Sequence, residues 1–68
     1  MSGNAAKIVV SPLKYNLMRD RHFTYVDIVW NCVKKEVGFY SRIRDARRGA
    51  KRLQAALGGP RVISIVEK

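Results

Sequence analysis

The chain has 68 residues, 47% of them apolar, and sets fourteen Lys and Arg against five Asp and Glu for a formal charge of +9. That length suits one domain, residues 1–68, and excludes two; a domain this small hides only about 60% of the surface its unfolded chain exposes, so a thin core and some tendency to homodimerise are expected. The charge selects polyanions as partners: nucleic acid first, an acidic protein surface second and an anionic membrane last.

No apolar run approaches the roughly 18 residues of a spanning helix, and the opening MSGNAAK lacks the apolar centre of a signal peptide. No membrane association is expected, and an intracellular, cytoplasmic place is. Cys32 alone cannot form an internal disulfide, and His22 alone cannot supply a metal site, so neither metal nor cofactor is expected.

Residues 1–6 read as a soft polar start, expected to be flexible. Lys7-Ile-Val-Val10 is a β-branched run that ends at Ser11-Pro12, where the missing proline N–H stops ladder pairing. Residues 11–18 admit two readings: a helical turn with Ser11 as N-cap and Pro12 in its first position, or a strand through Tyr15–Met18, which is preferred.

Arg19–His22 is a polar turn, and the strand after it alternates clearly. Thr24, Val26, Ile28, Trp30 and Cys32 fall on the expected core side, with Trp30 as its anchor and Cys32 as a small buried hydrophobe. Phe23, Tyr25, Asp27, Val29 and Asn31 fall on the other, mixed side. Lys34-Lys-Glu36 reads as a charged turn and Val37–Tyr40 as the return strand of a hairpin, with Gly38 marking a bulge or a close approach.

Ser41 is the expected N-cap of a helix that runs to Gly58-Gly59, with Pro60 blocking continuation. The last run, Arg61–Val66, is a strand with Ile63 and Ile65 on one side. The fold class is α+β: a small antiparallel sheet of three to four strands with one amphipathic helix on one face, in the order strand, hairpin, helix, strand.

The helix carries the functional signal. At about 100° per residue, Ile43, Ala46, Ala50, Leu53 and Leu57 form its packing stripe, with Gly49 beside the two alanines allowing a close approach to the strands. Arg44, Arg47, Arg48, Lys51 and Arg52 occupy an opposite arc of about 140°. A face kept merely soluble mixes Glu with Lys at i, i+4; here Arg44 with Arg48, Arg47 with Lys51 and Arg48 with Arg52 repel, and only Asp45 offsets them. The cations also crowd the half where the helix dipole disfavours them. Local stability is given up, and an anionic partner explains why.

Arg47-Arg-Gly-Ala-Lys51, followed by Leu53 and Ala55-Ala-Leu57, is similar to the Lys-Lys-x-Ala-Lys signature that opens the last helix of double-stranded-RNA-binding domains. Upstream, Lys14-Tyr15, Leu17, His22-Phe23 and the alternation through Trp30 are similar to that domain's first strands. The family's first helix has no counterpart before Lys14, and the predicted last strand has none in the family. The resemblance implies phosphate contacts for Arg47, Arg48 and Lys51. By architecture alone, the chain also resembles small phage-encoded proteins, several of which block host machinery, anti-CRISPR proteins among them; this implies a host protein complex as partner.

Additional contacts are expected from Arg19, Arg21, Lys34 and Lys35 at the hairpin ends, and from Phe23 and Tyr25, whose rings mark the sheet face that one helix leaves open and suit base stacking. No acid pair at catalytic spacing, glycine-rich phosphate loop or Ser-His-Asp arrangement is present, so the expectation is a non-enzymatic binding protein.

Overall fold

A computed structural model describes residues 6–68. The expected flexibility of residues 1–5 lies outside the described residues, while Ala6 packs against the core. Five strands and one helix follow in order: β1 (Lys7–Val10), β2 (Lys14–Asn16), β3 (Arg21–Trp30), β4 (Val33–Tyr40), α1 (Ile43–Ala56) and β5 (Ser64–Glu67). This is the expected small α+β fold.

β3 is the spine of a curled sheet. β4 pairs along one edge, while β1 and then β2 share the other. The Ser11 N–H still bonds the Tyr25 carbonyl at 2.9 Å, Pro12 interrupts the ladder, and β2 resumes it at Lys14 opposite Phe23. The strand reading therefore holds in part: β2 is Lys14–Asn16, while Leu17 and Met18, expected to continue the strand, lie in the turn that leads into β3. The Thr24 hydroxyl, fully buried, donates to the Ser11 carbonyl and ties the two strands where the ladder breaks.

The last pairing departs from a purely antiparallel sheet, because β5 lies parallel to β1, with Ile8 opposite Ile65. The reason is topological. A single helix returns the chain to its starting end, so β5 runs in the direction of β4; β4 and β1 are both antiparallel to β3 and hence share a direction.

The hairpin turn sits elsewhere than at Lys34-Lys-Glu36, which belongs to β4. Asn31 and Cys32 form the turn with φ of 53° and 66°, the two positive values that a two-residue type I′ turn needs to follow the strand twist. Cys32 is consequently exposed and not a buried hydrophobe. A bulge does accompany Gly38: Val26 pairs with Gly38 but Asp27 with Glu36, leaving Val37 unpaired.

The core lies between α1 and the sheet: Ile8, Val10, Val26, Ala46, Ala50 and Ile63, with Ile28, Tyr40, Ile43, Leu53 and Ile65 packed around them. Each fully buried aliphatic chain contributes about 1.5–3 kcal/mol, and the two alanines let the helix axis come close enough for the strand residues to reach it. Trp30 does not anchor this core. It points to the helix side, as alternation requires, but it stands at the hairpin tip past the helix end and is 54% exposed, beside Leu57 and Val62, which are exposed as well.

Ser41 is not the N-cap: Arg42 takes that place with extended backbone, and no side chain caps the helix. At the other end the N–H of Gly59 bonds the Gln54 carbonyl at 2.8 Å and that of Gly58 the Ala55 carbonyl at 3.3 Å. This is a Schellman ending, and the φ of 117° at Gly58 is why glycine stands there.

Candidate functional site

The sequence alone placed Arg44, Arg47, Arg48, Lys51 and Arg52 on one arc, and those five, with Ala55, border a single shallow surface on α1. All are exposed. The arc faces away from the sheet because Ala46 and Ala50, on the opposite side, are fully buried against it. No basic residue occupies the last turn of α1, where the helix dipole would have favoured one.

Among the described residues one carboxylate answers these cations. The Arg47 guanidinium donates to both Glu67 oxygens, with Nε at 2.9 and 3.1 Å and one terminal nitrogen at 3.0 Å. These hydrogen bonds, and secondarily the charge of Glu67, raise the Arg47 pKa and hold it firmly cationic. β5 delivers the acid: Ile63 and Ile65 face the helix, and the next residue on that side is Glu67. Both partners are exposed, so the pair orients Arg47 more than it neutralises it. Asp45 forms no ion pair with the helix cations.

The six residues expected to extend the footprint divide. Arg19, Tyr25 and Lys34 meet on the open face of the sheet, around a hollow that also contains Phe39 and Asp27. Phe23 is not an open stacking ring: it is buried, with Phe39 edge-on at 5.2 Å between ring centres. Phe39 takes the outward position instead, and the Arg19 guanidinium lies over its ring at 4.5 Å. Arg21 is exposed at the start of β3 opposite Asn16, outside the hollow. Lys35 pairs with Ile28 and so projects to the other face from Lys34.

The bulge at Val37 is what assembles this second surface. Uninterrupted alternation would put Lys34 and Glu36 on the face of Tyr40, whereas the extra residue shifts them to the face of Phe39. Alternation already puts Asp27 on the open face with Tyr25, and Phe39 follows from its pairing with Tyr25, which the sequence does not show; the lone carboxylate in the middle of the longest strand was the signal available to single out Asp27.

Among the described residues no group of three or more His, Cys, Asp or Glu is placed to hold a metal ion, and no helix is long and apolar enough to cross a membrane. Comparison with protein-family models, with curated proteins and with solved structures finds no match to this chain.

Proposed function

We propose that this chain is a non-enzymatic nucleic-acid-binding protein that lays the outer face of α1 against a phosphate backbone. The observation that carries this reading is the set of five cations bordering one surface of α1, with Glu67 on Arg47 as their ion-pair partner among the described residues. Four guanidiniums suit phosphate oxygens, which they can grip in pairs, and Lys51 adds a mobile point charge. Contacts of this kind set position and affinity without reading bases, so the helix face binds with little sequence preference.

Salt dependence tests it. If about four phosphates are engaged, log K falls against log salt with a slope near −0.9 per phosphate on a duplex, and Arg48→Ala with Lys51→Ala flattens the line by roughly two such units. A salt-independent affinity, or none, ends this reading.

A second reading draws on another observation, the exposed apolar hollow that Trp30 forms with Leu57 and Val62, which a phosphate backbone has no use for. In it the chain is an inhibitor, of the phage-encoded kind, that presses the same cations on an acidic or nucleic-acid-handling host protein complex. A stoichiometric complex from nuclease-treated bacterial lysate that is lost with Trp30→Ser supports it; retention of the complex by that variant counts against it.

A further inference from the structure

The hollow on the open face, about 440 Å³ in volume, has one buried acid, Asp27, and exposed charges of both signs around it. Asp27 is only 5% exposed, and it forms no ion pair with any described residue. Its carboxylate also accepts none of the side-chain hydrogen bonds, yet no fully sealed polar atom among the described residues lacks a partner. Its oxygens therefore open into the hollow. Glu36 stands directly across the strand pair from it, a like-charge placement that weakens the sheet. Asp27 alone of these charges is buried; Lys14, Arg19, Lys34 and Glu36 are exposed around it, and the rings of Tyr25 and Phe39 form an apolar wall. Tyr25 is fixed in place, its hydroxyl accepting from the Asn16 side-chain amide at 2.9 Å.

A ligand for this hollow must offer hydrogen-bond donors at its inner end, a flat apolar middle and negative charge at its outer end. A simple anion is repelled by the buried Asp27; a basic peptide is repelled by Lys14, Arg19 and Lys34, which outnumber Glu36 among the exposed charges. A nucleotide has the required order, and among the bases guanine alone presents two adjacent donors, N1–H and the N2 amino group, to a single carboxylate. Adenine and cytosine offer one amino group beside an acceptor, and uracil flanks its one N–H with two carbonyls that a carboxylate repels.

We propose that the hollow binds one unpaired guanine nucleotide, with Asp27 accepting from N1–H and N2–H, the base against Tyr25 and Phe39, and the phosphate on Lys14, Arg19 and Lys34. This reading is independent of the helix face, which lies on the other side of the sheet. It adds the base-reading element that a phosphate-gripping helix lacks.

The test is an amide NMR titration of the full chain with GMP, IMP, AMP and inorganic phosphate. GMP should shift resonances of Tyr25, Asp27 and Phe39 and bind roughly tenfold more tightly than IMP, which lacks the N2 amino group, with AMP weaker still. Phosphate alone should not displace it. Asp27→Asn should abolish the preference for GMP over IMP while leaving the salt slope on duplex unchanged; Arg48→Ala with Lys51→Ala should do the reverse. GMP, IMP and AMP binding within twofold of one another, or shifts confined to α1, would overturn the assignment on the unaltered chain, whatever the stability of the Asp27 variant.

Discussion

The Tyr40 hydroxyl occupies the space that a side chain at Gly49 would need: a Cβ there would come within 2.3 Å of that oxygen and 2.7 Å of the ring carbon Cζ. Gly49→Ala therefore sets two effects against each other. Helix propensity favours alanine by about 1 kcal/mol, and overpacking costs about 1–3 kcal/mol. A part-buried aromatic ring cannot fold out of the way as a flexible chain would, so overpacking wins and urea unfolding should show a net loss of about 1 kcal/mol. In a Tyr40→Ala background the same change should stabilise. A gain in the unaltered chain would mean that the ring swings aside without cost.

Cys32 holds a positive φ at the second position of the hairpin turn, a site that favours glycine. Cys32→Gly should raise stability by about 0.5–1 kcal/mol, relief of the left-handed backbone outweighing the added freedom of the unfolded chain. The thiol should also react with a bulky disulfide reagent in the folded protein, without denaturant. A protected thiol would contradict the turn.

Glu67 restrains one of the five helix cations. Glu67→Gln should tighten binding to duplex at low salt and steepen the salt slope by up to about 0.9, the contribution of one freed charge. If Arg47 already reaches a phosphate through its pair with Glu67, the slope stays where it was and only the affinity rises. A weaker complex on removing Glu67 would show that the ion pair positions Arg47 for its contact.

Tyr15 donates its phenolic hydrogen to Asp20, and this bond, with a smaller contribution from desolvation, raises its pKa. A folded pKa above the unfolded value near 10 makes the bond's stabilisation fully present below that value and lost as pH climbs through the raised one. Through this group stability should thus be constant with pH around neutrality, with the bond's contribution intact, and decline above about pH 10. Alkaline absorbance titration should show a late-ionising tyrosine, and Asp20→Asn should bring that step down towards the ordinary value near 10.

Much of the architecture was legible because it rests on periodicity. The alternation in β3 put Thr24, Val26 and Ile28 on the correct face, and the spacing of Ala46 and Ala50 fixed which side of α1 is buried. The same periodicity put the five cations of α1 together. What escaped was set by events that interrupt a period or end an element. An Asn-Cys pair gives little hint of a type I′ turn, so the turn was placed among the charges that follow. The unpaired Val37 exchanges the faces of Lys34 and Glu36, which no count from Tyr40 reveals. Trp30 was assigned the right side but stands beyond the reach of α1, and alternation carries no information on how far a covering element extends.

The register of β1 against β5 joins Lys7 to Ser64, almost the whole described chain apart in sequence. β1 lies inside the sheet, between β3 and β5, so its second edge stays open until the final strand arrives. Closing so long a loop late makes for slow, all-or-none refolding, and the hairpin with its helix has little reason to persist as an autonomous fragment. Clipping the last strand would bare the second edge of β1 and strip Ile65 from the margin of the core.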